Sequence, residues 1–524
     1  MALMIHKVKT DFQDVVLAAF LCIPGLFLSF ANPVIHFPPF FFLFLTGLNH
    51  LGFRSSSGLS AFTKALILSG LAYSLCLYWI VVPVNVYGGV PLVLAIFCPL
   101  LLGFCVGLFV ACYAFVLHVT KNNFNPALLG ILCGCAWGGL EFIREYAFTG
   151  FPWLVSAQSF AIWPESIAVI RHIGSTGLAM IMASCTLWMC IEKKIWRIAG
   201  AGILAVVMGY GYTFPQHNEA HMEKTFVIVQ GNMSQTIKWE QDVQHMTVEK
   251  YMDLTSRGLE VARPDLVIWP ETAMPFYFQE PTELSFMVRN FAIENEIKLL
   301  TGAPAYIMSE DEMSYSLYNR AYFISEDGLV LDYYDKQRLV PFGEYIPLGR
   351  YIPFLDKLVH GEFEFSKGEP GEPLKNGELA LGMLICYEII FPGLARQRAA
   401  SGANILVNIS NDAWFGNTSA PEQHLHLSVL RAIEQNRFVL RSTNTGISAF
   451  IDNQGNIYAA TNIFEDAVIN EQAGLVEGRT VFNYMYWYIN FTMVFIVLSA
   501  LIYTFNRKYI NRTRPGKTFL TYLL

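Results

Sequence analysis

Apolar residues are distributed unevenly along the chain. Residues 1–213 and 485–505 are dense in Leu, Phe, Ile, Val and Trp and carry few charges, whereas 214–484 has the composition of a soluble domain. A helix that crosses a bilayer needs about 20 mostly apolar residues. The pattern predicts eight such helices, at 14–31, 34–52, 62–83, 89–118, 126–143, 173–192, 196–213 and 485–505. The fifth carries Glu141 and Arg144 at its end. The expected organisation is a transmembrane domain over 1–213, a polar domain over 214–484, a last span over 485–505 and a basic tail over 506–524.

Within the polar region, short apolar runs alternate with longer amphipathic ones. Strands are predicted at 225–233, 265–273, 298–307, 317–325, 328–335, 379–388, 404–412 and 445–452, and helices near 243–261, 281–296, 393–401 and 421–438. Such alternation predicts a layered α/β domain. Several strands end in polar residues: Glu271, Lys336 just past its strand, Cys386, and Asn408 with Asn411 and Asp412. Ligands of α/β sheets bind at the carboxyl ends of strands, which is the reason to group these residues.

Composition sharpens the picture. The chain is 54% hydrophobic and 15% charged, against about 25% charged in an ordinary soluble domain. Its net charge of −7 shows no basic excess and argues against a nucleic-acid partner. No low-complexity stretch or fixed-period repeat is present. With a cytoplasmic N-terminus, Lys7, Lys9, Arg54, Lys64, Lys121, Lys193, Lys194, Arg197 and the basic tail fall on one side, and only Arg144 and Arg171 break the pattern. The positive-inside rule then puts both termini in the cytoplasm and the polar domain outside it. A cleaved signal peptide ending near Ser29-Phe30-Ala31 is the rival reading of the first apolar run; it leaves the polar domain on the same side.

Nine of the ten cysteines lie in the first 200 residues, and Cys386 alone lies in the polar half. An oxidising exterior favours disulfides, but one thiol has no partner within its domain. It is a candidate nucleophile, or a buried small hydrophobe. The segments WPET (269–272), YDKQRLVPFGEYIP (334–347) and CYE (386–388) supply a carboxylate, an ammonium and a thiol. A carboxylate can take the thiol proton as sulfur attacks a carbonyl, and a fixed ammonium can stabilise the oxyanion. Each residue also has a structural reading. Glu271 can start a helix, Lys336 can be a surface charge, and Glu344 and Glu388 can be surface carboxylates. Asn408, Asn411 and Asp412 read as turn formers. Neither His424 nor His426 is read as having a Cys or carboxylate at ligand spacing, so both are taken as helix-face residues and no metal is expected.

Glu, Lys and Cys in this order on successive strand ends resemble the nitrilase, or carbon–nitrogen hydrolase, superfamily. With the spans, FTGFPW (148–153), VQGN and KW within 229–239, WPE, CYE, NISNDAWFG (408–416) and RSTNTGISAFID (441–452), the chain is similar to the apolipoprotein N-acyltransferase family over nearly its whole length. The resemblance implies a polytopic membrane protein of about eight spans with an inserted αββα sandwich, in a bacterial inner membrane with the sandwich periplasmic. It implies Glu271 as proton acceptor, Lys336 as oxyanion stabiliser and Cys386 as nucleophile, with Trp239, Asn319, Glu344, Tyr387 and Glu388 in support. It also implies transfer of an acyl chain from a membrane phospholipid, typically phosphatidylethanolamine, through a thioester to a diacylglyceryl apolipoprotein, without a cofactor. The alternatives are a membrane-anchored amidase of the same superfamily and a transporter or scaffold without catalysis. The aromatic stretches 274–278 and 342–355 are expected to dip into the bilayer interface and guide acyl chains, with core packing as the alternative.

Overall fold

The computed structural model describes residues 2–214, 220, 222–234, 240–309, 314–346 and 364–513. Apolar helices stand at all eight predicted places: Ala2–Phe27, Phe40–Arg54, Gly58–Cys76, Leu92–Thr120, Pro126–Tyr146, Ile170–Cys190, Lys194–Thr213 and Val481–Thr513. Six of them, from Gly58–Cys76 onward, are long and apolar enough to cross a membrane. Phe40–Arg54 is shorter, at 15 residues. The last helix begins before the predicted 485 because its first turns dock on protein. Tyr486 donates to Glu145 at 2.6 Å and Asn483 to Gln435 at 2.7 Å.

Small residues let these helices approach closely. A Cβ on Gly103 would stand 2.6 Å from the backbone nitrogen of Ser74 and 2.7 Å from the carbonyl of Gly70. Gly103→Val is therefore expected to cost about 1–3 kcal/mol, read as a lower unfolding midpoint of the detergent-purified chain.

The polar region folds into two six-stranded sheets. Its strands are β1 (Met222–Gln230), β2 (Leu266–Ile268), β3 (Leu299–Met308), β4 (Tyr315–Ile324), β5 (Val330–Asp335), β6 (Leu374–Asn376), β7 (Leu379–Ile385), β8 (Ile405–Ser410), β9 (Val439–Thr443), β10 (Ala449–Ile451), β11 (Ile457–Ala460) and β12 (Ala467–Leu475). One sheet has the order β12-β1-β2-β3-β4-β5, the other β11-β10-β9-β8-β7-β6. Each has a parallel centre, β1-β2-β3 or β7-β8-β9, flanked by antiparallel strands.

The central strands are apolar on both faces, as buried parallel strands are. Phe226, Ile228, Leu266 and Ile268 meet Leu381, Met383, Ile385, Ile405, Val407 and Leu440 between the sheets. Val227, Val229, Val267 and Leu299 point the other way, into a core containing Val248, Tyr251 and Val288 of helices Gln241–Leu259 and Glu283–Glu294. On the far side lie helices Pro392–Ala400 and Ala420–Gln435. The result is a helix–sheet–sheet–helix sandwich.

The prediction missed β6, β9, β11 and β12. β9 is buried but polar, with Arg441, Ser442 and Thr443 paired inside. β6 and β11 are short edge strands, and β12 (AVINEQAGL) shows no apolar run. β2 ends at Ile268, short of the predicted 273, because Trp269-Pro270 follows and proline cannot donate to a ladder.

The outer helix layer shares a core with the membrane half. Leu394, Leu425, Leu427 and Leu430 belong to the same apolar cluster as Leu26, Phe44, Tyr73, Trp137 and Leu178. Gln423 stands at this junction. Its amide donates to the carbonyl of Ala31 at 2.9 Å, and its oxygen accepts from Trp153 at 2.9 Å and Trp79 at 3.1 Å.

Candidate active site

Glu271, Lys336 and Cys386 sit where β2, β5 and β7 run out, all inside the protein. The strand β2 is followed by Trp269, which is held by a bond from its ring N–H to the Thr255 hydroxyl at 2.9 Å. The chain then turns, with Thr272 at φ +56°, and aims Glu271 inward. Lys336 follows β5, its backbone N–H donating to the carbonyl of Asn319 on β4 at 2.9 Å.

The polar contacts form one network. Lys336 Nζ donates to Glu271 Oε1 at 3.3 Å and to Glu344 Oε1 at 2.8 Å. The Asn319 amide donates to the same two oxygens at 2.7 and 3.0 Å. Glu271 Oε2 accepts one bond, from the backbone N–H of Asn411 at 2.8 Å, and retains lone-pair capacity for another donor. Glu344 Oε2 is capped by the backbone N–H of Val340 at 2.8 Å. Burial opposes charge on Lys336, but Glu271 and Glu344 outweigh it and hold the ammonium well above its usual range. Burial, with Glu271 next, pushes the Cys386 thiol up, while Lys336 pulls it down. The resting sulfur is therefore a thiol with a carboxylate and an ammonium acting on it.

Cys386 has φ +52°. A non-glycine residue there carries a strain of about 1–3 kcal/mol, which persists only where its surroundings hold it, and three groups do. Ile385 N–H donates to Glu388 Oε2 at 2.7 Å, Asn408 donates to the Cys386 carbonyl at 3.3 Å, and His424 Nε2 reaches that carbonyl at 3.2 Å. Burial lowers the His424 pKa, with Arg441 adding to the effect. The neutral ring thus donates from Nε2 and accepts at Nδ1 from Arg441 at 3.0 Å. Beneath it, Arg441 pairs with Asp412 at 2.6 Å and binds Asn408 Oδ1. Burial disfavours the Asp412 carboxylate, yet the Arg441 guanidinium holds its pKa well below the usual range.

Several expectations change. Glu388 is fully buried, not a surface carboxylate. It accepts from Gln337 N–H at 2.6 Å, Arg338 N–H at 3.0 Å, Tyr334 Oη at 2.8 Å and Ile385 N–H at 2.7 Å. It thereby fastens the segment after Lys336 to the turn that carries Cys386. Glu344 is likewise turned into the network. Asn408, Asn411 and Asp412 are not simple turn formers: Asn408 lies within β8 and all three are buried with polar partners. A strand-borne arginine in an apolar setting, Arg441, was the available sign that a buried acid stood nearby. His424 belongs to the site, and His426 has Glu422 one helical turn before it, a spacing the sequence reading overlooked. Trp239 lies outside the described residues.

The Tyr387 hydroxyl donates to the Gly150 carbonyl at 2.7 Å, which ties FTGFPW of the membrane half to the residue after Cys386. Met274, Phe276 and Phe278 pack in the core behind the first sheet, so this stretch does not dip into lipid. Phe342 is exposed and Tyr345 half-buried, whereas 347–363 lie outside the described residues.

Glu388→Gln turns an amide N–H₂ toward groups that themselves donate. The cost of such unsatisfied buried donors is about 1–3 kcal/mol each. The variant is expected to unfold at lower temperature and to lose activity as Lys336 loosens, checked by thermal unfolding and turnover on the same preparation.

Residues 228–474 match the carbon–nitrogen hydrolase family, and residues 24–214 match the apolipoprotein N-acyltransferase N-terminal domain. The apolipoprotein N-acyltransferase of Geobacter metallireducens is 33% identical over 435 residues, covering 81% of this chain and 83% of that protein. The one from Azotobacter vinelandii is 30% identical over 495 residues, covering 90% and 91%, and that of Pseudomonas aeruginosa (strain UCBPP-PA14) is 29% identical over 473, covering 87% and 90%. Among solved structures, a carbon–nitrogen hydrolase from Helicobacter pylori G27 aligns at 16% identity and a TM-score of 0.36, over 49% of this chain and 90% of that one. With both parts matched in order and relatives alike over most of their length, the chain belongs to the apolipoprotein N-acyltransferase family.

Proposed function

We propose that this membrane protein moves an acyl chain, held as a thioester on Cys386, from a phospholipid such as phosphatidylethanolamine to the N-terminal amine of a diacylglyceryl apolipoprotein. The observation that carries the reading is the buried Glu271–Lys336 pair brought to bear on a thiol at a constrained turn. In the first half-reaction the thiol proton passes to Glu271 as sulfur attacks the sn-1 ester carbonyl. The Lys336 ammonium faces the developing oxyanion. The intermediate collapses by breaking the ester C–O bond, Glu271 returns its proton to the departing alkoxide, and a lysophospholipid leaves. In the second, the lipoprotein α-amine attacks the thioester and Glu271 takes its proton. The C–S bond breaks, the thiolate recovers the proton, and an amide remains. Asn319, Glu344, Glu388 and Tyr387 hold these groups in place, and Trp239 is assigned with them on the resemblance alone.

The same reading puts residues 214–484 outside the cytoplasm, between seven preceding spans and one final span, with both termini and the basic 506–524 tail inside. Three loops on that side support it: those near 31–33 and 84–89 lack Lys and Arg, and the longer 144–172 carries only Arg144 and Arg171. They contact the sandwich through Ala31 (2.9 Å to Gln423), Tyr87 (3.0 Å to Ala413) and Gly150. The two arginines that break the charge rule have local partners: Arg144 binds the carbonyls of Trp153 and Phe151, and Arg171 that of Asn453.

Mixing the purified chain with phosphatidylethanolamine is expected to give a hydroxylamine-sensitive acyl adduct on Cys386 by mass spectrometry, discharged by a diacylglyceryl peptide to the N-acyl product. Release of free fatty acid with no N-acyl product would favour an amidase-like hydrolase instead.

A further inference from the structure

Helix Ala420–Gln435 carries a second group of ligating side chains that acyl transfer does not use. Glu422 and His426 stand one turn apart on one face, and His36 reaches them from the loop between the first two membrane-half helices. One donor atom from each of the three lies within 4.8 Å of the other two. His426 Nε2 is 3.8 Å from Glu422 Oε1, too far for a hydrogen bond, and the rings of His36 and His426 lie 5.3 Å apart at 45°. His36 Nε2 contacts the Ser159 carbonyl at 2.9 Å, which calls for a proton on Nε2. Its Nδ1 is buried with no hydrogen bond. An imidazole oriented by a carbonyl on one nitrogen, with a lone pair left on the other, is the usual state of a metal-binding histidine.

We propose that His36, Glu422 and His426 form a binding site for a divalent transition metal ion, with Zn²⁺ the best match to two imidazoles and a carboxylate. Calcium and magnesium prefer all-oxygen sites. A tetrahedral ion about 2.0–2.1 Å from each donor requires donors roughly 3.3 Å apart, close to the 3.8 Å observed for one pair. The Glu422 side chain is 48% exposed, so an ion has a route in from solvent. Once bound, the ion would clamp the first loop of the membrane half to the sandwich.

The test uses the full-length chain in detergent, stripped with chelator and titrated with ZnCl₂ by calorimetry, with bound metal counted by mass spectrometry. One equivalent of Zn²⁺ is expected. His36→Ala, Glu422→Ala and His426→Ala should each weaken its binding at least tenfold. Zinc should raise the unfolding midpoint of the native chain and leave that of Glu422→Ala unmoved. Because Glu422 is half exposed, its variant separates lost ligation from lost folding. Native protein that takes up no zinc, or a Glu422→Ala/His426→Ala variant that binds it with unchanged stoichiometry and affinity, would overturn the proposal.

Discussion

Replacing Cys386 by alanine is expected to lower acyl transfer by three orders of magnitude or more and to abolish the adduct, while the chain still folds. Loss of a nucleophile that acts as a unit with its base costs this much or more. Folding should survive because alanine fills most of the space of a small buried thiol, and the groups holding the turn bind backbone or Glu388, not sulfur. Glu271→Gln should also prevent the adduct, since an amide cannot accept the proton. Lys336→Met should slow both half-reactions about 10²–10³-fold, the usual effect of removing one oxyanion donor. It also leaves Glu271 and Glu344 facing each other across Asn319, so its unfolding midpoint should fall as well. Normal N-acylation by Cys386→Ala, measured with a phospholipid donor and a diacylglyceryl peptide, would refute the thioester route.

The largest effect on stability is expected at Arg441→Leu. Arg441 and Asp412 are fully buried, and the guanidinium also binds Asn408 and His424. Removing one partner of such a pair strands the other charge in the interior and costs about 3–5 kcal/mol, a fall of order 10 °C in midpoint for a domain of this size. Adding Asp412→Leu should restore part of the loss, because the stranded charge is gone. The pH dependence has a definite sign. Asp412 is held below its unfolded value, so its pairing contributes fully above about pH 4 and fades as pH falls below that. In Arg441→Leu the lone buried carboxyl gains by taking up a proton. The stability gap between native chain and variant should therefore narrow in acid, and a gap that widens would contradict the pairing.

The membrane helices were legible because lipid demands long apolar runs, and so was the order Glu271, Lys336, Cys386, because strand ends are marked by a switch from apolar to polar residues. What stayed hidden depended on partners distant in sequence. Glu388 and Asp412 read as surface or turn residues until the N–H groups of Gln337 and Arg338 and the side chain of Arg441 are brought to them. β9 escaped notice because three of its five buried residues, Arg441, Ser442 and Thr443, are polar. The aromatic run 274–278 could not be assigned to lipid or core by composition, since both environments accept phenylalanine.

Helix Ala420–Gln435 is enclosed almost all round, by the second sheet on one flank and by the membrane half on the other. A secreted version cut free of its anchors would therefore shed one wall of its own interior. Tethering here is part of the folding problem itself, and detergents that disturb the anchor should be felt at the nucleophile through Gly150 and Tyr387.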